Sequence, residues 1–72
     1  MTVNARETFA ANLRRERERL NLSQEALGER CDLHRTEISL LERAQRGPRL
    51  ETIVKLARAL EIAPAKLLDD IS

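Results

Sequence analysis

The chain has 72 residues, 42% of them hydrophobic and 35% charged, with 13 Lys and Arg against 12 Asp and Glu for a net charge of +1. That length suits one domain near the lower limit at which a single core holds a fold unaided, so support from a second copy is expected. A single cysteine excludes an internal disulfide, no long apolar run or cleavable leader opens the chain, and one Phe without Trp or Tyr supplies little for stacking single-stranded bases. A cytoplasmic protein with no membrane partner is the expectation.

Helix formers dominate, strand-like alternation is absent, and the Gly and Pro residues fall where helices are joined, so the chain reads as all-α. Phe9, Leu13 and Leu20 give a first helix its apolar stripe, and Arg17 falls on the same stripe, where it needs an acidic partner. Asn21 suits a left-handed stop. Ser23 then reads as the N-cap of a second helix, about 23–31, with Leu22 and Leu27 placed as a hydrophobic staple and Leu27 and Cys31 buried one turn apart. Asp32, Leu33 and His34 form the turn before Arg35. Two helices joined by about three residues cross steeply, as in a helix-turn-helix.

The third helix is expected over about 35–44. Its period turns Ile38 and Leu41 inward and gathers Thr36, Ser39, Leu40 and Arg43 on the opposite side, with Arg35 on the flank. Glu37, at the third helical position, suits a capping box with the His34 amide. A fourth helix carries Leu50, Ile53, Val54, Leu56, Ala57 and Leu60, apolar on more than one side, and is expected to be central to the bundle. Pro64 opens a short fifth helix with Leu67, Leu68 and Ile71. No repeat, low-complexity tract or second domain is visible, so residues 1–72 are expected to be one unit without a separate sensor.

Charge is unevenly spread. Residues 34–49 hold four Arg against two Glu, whereas residues 61–70 hold three acids and only Lys66. Cys31 and His34 lack a third ligand, and Cys31 follows Leu27 on the buried face, so neither a metal nor another cofactor is expected. No phosphate-cradling Gly-rich loop, paired carboxylates or Ser/His/Asp set gives catalysis a starting point.

The stretch LSQEALGERCDLHRTEISLLERAQRGPRLETIVKLARALEIAPAKLL resembles the XRE/Cro-type helix-turn-helix family, which includes phage repressors, restriction–modification controllers and many bacterial regulators. The shared features are distributed: LSQ opens helix 2, RTEIS starts helix 3, LER closes it, and Pro48-Arg49-Leu50-Glu51-Thr52 starts helix 4. The resemblance implies a lambda-repressor-like five-helix bundle that binds double-stranded operator DNA as a homodimer. Departures are Asp32 and Ala44 where the family favours Gly, Gly28 where it favours Ala, and Glu16 where it favours an apolar residue. Gly28 is expected to lose about 1 kcal/mol of helix propensity. Arg49 and Ala63 stand where Ser often caps, so frayed starts to helices 4 and 5 are expected.

On this resemblance the outer face of helix 3 enters the major groove, with Arg35, Thr36, Ser39 and Leu40 as candidate base contacts and Gln24, Arg43 and Arg46 as candidate phosphate contacts. Arg35 offers a fork to guanine, Leu40 a surface for a thymine methyl, and Arg46 an alternative entry into a groove. Plainer roles stay open: Arg35 paired with a helix acid, Thr36 serving the first-turn backbone, Ser39 solvated, Glu37 accepting from cytosine. Arg17 and Glu42 are implied to form a structural ion pair. Ile62, Leu67, Leu68 and Ile71 are the candidate dimer surface, or else complete the monomer core. An antitoxin-type regulator with a protein partner, or a helical bundle whose third helix meets a protein groove, are the other readings.

Overall fold

The computed structural model describes residues 4–71, and five helices account for its regular structure: α1 (Ala5–Arg19), α2 (Gln24–Cys31), α3 (Arg35–Glu42), α4 (Leu50–Leu60) and α5 (Pro64–Leu67). α2 packs on α3 and α4, α1 packs on α3 and α5, and α4 packs on α5. One core results, built from Phe9, Leu13, Leu27, Cys31, Ile38, Leu41, Leu56, Ala57, Leu60 and Leu67. No helix among the described residues is long and apolar enough to cross a membrane.

Local chemistry sets the helix boundaries. The Asn4 side chain accepts from the Arg6 and Glu7 amides at the start of α1, and Ser23 Oγ accepts from Ala26 N at 2.9 Å at the start of α2. Both bonds satisfy amides that have no partner within the helix. His34 caps α3, its Nδ1 accepting from Thr36 N at 3.0 Å, which requires that nitrogen to be unprotonated. Arg49 and Ala63 make no side-chain cap bond, in line with the absence of a capping residue type.

Helices end on left-handed residues that carry side chains. Asn21, Asp32, Ala44 and Glu61 have φ between 56° and 59°, Asp70 has 65°, and neither glycine has a positive φ. Asp32 therefore makes the turn that the family more often gives to glycine. Gly28 has a different use: a Cβ there would lie 2.4 Å from the Leu33 carbonyl oxygen. The expected weakness at Gly28 is thus a clearance that lets the α2–α3 turn close.

One expectation about apolar residues needs correction. Leu50 is 73% exposed, and α4 buries one face, through Leu56, Ala57 and Leu60, so it is not apolar-packed all round. On α1 the buried stripe is Phe9, Ala10, Asn12, Leu13 and Glu16; Arg17 falls on it, between Leu13 and Ala10 around the helix, and Leu20, just past the helix end, packs against the core. Polar groups on such a stripe need partners. Asn12 Nδ2 donates to the Leu67 and Asp69 carbonyl oxygens at 3.0 and 2.8 Å, tying α1 to α5. Glu16 accepts from Arg19 at 2.8 Å and from Arg15 at 3.4 Å, and Arg19 also donates to the Leu60 carbonyl at the end of α4. The hydrogen bond from Arg19 is the main reason the Glu16 carboxyl lies below its ordinary range, against an opposing effect of burial.

Candidate nucleic-acid interface

The α2–α3 pair is held at its base by an ion pair. Arg17 Nε donates to Glu42 Oε2 at 2.7 Å and Arg17 Nη2 to Oε1 at 3.0 Å, while Nη1 donates to the Leu22 carbonyl at 2.7 Å. Both side chains are largely buried, 12% and 4% exposed. The two-pronged geometry suits guanidinium and carboxylate, and Glu42 holds the Arg17 pKa above its already high ordinary value. Gln24 Nε2 also donates to Glu42 Oε1, at 3.2 Å, so α1, α2 and α3 meet at one carboxylate. Gln24, the candidate phosphate contact, is thereby fixed at the first turn of α2 with its second amide N–H left over.

On α3, Ile38 and Leu41 are fully buried, which turns the opposite side outward. Arg35, Thr36 and Arg43 are exposed, whereas Ser39 and Leu40 are half-buried. Leu40 takes no part in the core cluster; one position before Leu41 places it about 100° around the helix, on the flank of the outward face. The base-reading candidates thus share one exposed surface, most open at the N-terminal turn of α3.

The cations of this surface differ in their partners. Arg35 Nη1 pairs with Glu25 Oε2 at 3.3 Å, both side chains about two-thirds exposed, a weak and easily exchanged contact. Arg46 pairs with Glu37, so the Glu37 carboxylate faces the α3–α4 loop and not the His34 amide of a capping box. The Arg46 guanidinium, a charged donor, binds a carboxylate more strongly than a neutral backbone amide does. Arg43 Nε donates weakly to its own helix at Ser39 O, 3.4 Å, and among the described residues it has no carboxylate at ion-pair distance.

Cys31 is buried, its Sγ donating to the Leu27 carbonyl at 3.2 Å, and burial pushes its thiol up from the ordinary range. No group of three or more His, Cys, Asp or Glu side chains is arranged to hold a metal among the described residues.

The candidate dimer residues divide. Leu67 is fully buried in the core of its own chain and is not available to a partner, because it seats α5 on α1 and α4. Ile62 and Ile71 are partly buried against the same core, and Leu68 is 43% exposed. Leu68 and Ile71 border an apolar hollow of about 320 Å³ with Ala5, Phe9, Gly47 and Pro48. Asn12, which ties α5 to α1, and Glu16 and Arg19, which hold the end of α4, escaped the sequence reading. The spacing of Asn12 and Glu16 with Phe9 and Leu13 was the available signal.

The Helix-turn-helix family model matches residues 13–67. The chain is 46% identical over 70 residues to the control protein C.BamHI of Bacillus amyloliquefaciens, covering 96% of this chain and 86% of that protein. The crystal structure of the restriction–modification controller protein C.AhdI from Aeromonas hydrophila superimposes with a TM-score of 0.84 at 40% identity, over 86% of this chain and 94% of that one. The P22 c2 repressor, in a crystal with a synthetic operator, aligns with a TM-score of 0.79 at 31% identity, covering 85% and 92% of the two chains.

Proposed function

Because the chain belongs to the XRE-type helix-turn-helix family, we propose that it is a DNA-binding transcriptional regulator of the controller type, acting as a homodimer on a near-palindromic operator. The observation that carries this reading is the exposed N-terminal turn of α3, where Arg35 and Thr36 stand outward while Ile38 and Leu41 anchor the helix from behind. A helix so mounted fits the major groove, whose base-pair edges are distinguishable to a forked arginine and to a threonine. Gln24, Arg43 and Arg46 flank that turn as phosphate contacts, and Ser39 and Leu40 extend the reading surface toward thymine methyls. The P22 c2 repressor's crystal with a synthetic operator supports double-stranded DNA as the partner.

Selection from a random duplex pool at about 150 mM salt, where non-specific phosphate binding is weak, tests it. An enriched sequence with two-fold symmetry is expected, and Arg35→Ala should relax one position per half-site by about 1–3 kcal/mol. Absence of any enriched sequence from folded protein would overturn the reading and leave a protein groove as the partner of α3.

A further inference from the structure

Glu37 occupies the third position of α3, directly after Thr36, with its side chain 25% exposed. Its carboxylate crosses to the α3–α4 loop and takes Arg46 Nη1. Both side chains line a cleft of about 520 Å³ together with Leu33, Arg49, Glu51, Thr52 and Lys55. A guanidinium held on a carboxylate carries no net charge into a phosphate contact, so it displaces no counterion. Arg46 is withheld from a polyanion for as long as Glu37 holds it.

Opening the pair frees a carboxylate in the turn that faces the bases, next to a line of phosphates. That is unfavourable unless the carboxylate finds a donor. In the major groove the donor suited to a carboxylate is the amino group at cytosine N4. Glu37 shares the first turn of α3 with Arg35 and Thr36, the part of a recognition helix whose side chains reach base edges.

We propose that Glu37 is a specificity-determining residue that exchanges Arg46 for a cytosine amino group on operator DNA, so that the Arg46 phosphate contact forms only where the base sequence supplies that donor. The inference rests on α3 being the recognition helix. On other DNA the pair stays closed and non-specific binding forgoes one phosphate contact. Sequence preference at a single base is thereby coupled to backbone affinity.

The test is duplex selection with the native protein and with Glu37→Gln, together with a salt titration of each on one random-sequence duplex. For Glu37→Gln, preference for cytosine at one position per half-site is expected to vanish or pass to adenine, the base that suits an amide, while other positions hold. Its slope of log affinity against log salt should steepen by about 1.8 for the homodimer, one added phosphate contact from each copy. Unchanged preference at every position, or an unchanged slope, overturns the proposal. Should Glu37→Gln fail to fold, Arg46→Gln keeps the carboxylate and removes its partner. That variant is expected to retain the cytosine preference and to lose more affinity for operator than for random duplex; equal losses overturn the proposal. If the native protein enriches no sequence, the reading of α3 fails; if it enriches one and Glu37→Gln enriches the same one, only the role of Glu37 fails.

Discussion

A methyl group on Gly28 would meet the Leu33 carbonyl oxygen, a backbone atom with no flexible end to move aside. Helix propensity favours Ala over Gly by about 1 kcal/mol, yet overpacking against backbone costs about 1–3 kcal/mol. Gly28→Ala is therefore expected to destabilise the chain, lowering the thermal midpoint by several degrees; a raised midpoint would contradict the clearance. Propensity is legible in a sequence and clearance is not, which is why this residue reads as a weakness until the turn is seen. The same distinction separates Arg17 from Arg46. Arg17 sits beside an apolar stripe, so its need for Glu42 follows from the sequence once the family spacing is added. Arg46 lies in an exposed loop, and nothing in its spacing points to Glu37, nine residues earlier.

Among the elements, α2 and the start of α3 were the most legible, because they rest on local chemistry: Ser23 and His34 as caps and Asp32 as the left-handed stop between them. The attachment of α5 was hidden, since Asn12 reaches carbonyl oxygens 55 and 57 residues away. Glu16 secures the end of α4 instead, through Arg19 and the Leu60 carbonyl, and its carboxyl is held below the usual range chiefly by Arg19. A folded-state value depressed in this way adds stability that is fully present above the unfolded value of about 4.3 and is lost as pH falls through the folded value. Replacing Glu16 by Gln is expected to flatten the acid limb of a plot of thermal midpoint against pH. Parallel acid limbs for the two proteins would show that Glu16 does not carry that dependence.

For the whole molecule, dimensions and surface meet in the question of assembly. The chain measures 36 × 22 × 22 Å, and adjacent turns of a major groove on one face of DNA lie about 34 Å apart. In the proposed homodimer, copies set side by side along the long axis are spaced on that same scale. The apolar hollow bordered by Leu68 and Ile71 is the surface we assign to that contact, while Leu67 lies in the core of its own copy. Leu68→Glu is expected to sediment as the 8.2 kDa monomer at concentrations where the native chain sediments at twice that mass. Equal sedimentation of the two would move the contact elsewhere. The net charge of +1 was uninformative at this scale, because arginines of the middle segment and acids of the tail cancel in the sum.

The left-handed residues that end the helices bear on how long a molecule lasts. Ala44 and Glu61 take up a backbone conformation that costs a side-chain-bearing residue roughly 1–2 kcal/mol and that glycine adopts freely. In a domain this small such amounts are a sizeable share of the margin against opening. A protease that cuts opened chains samples that margin directly when reclosing is fast. Glycine at position 44 or 61 is therefore expected to slow cleavage of the folded chain by such a protease, because it removes that cost and lowers the open population.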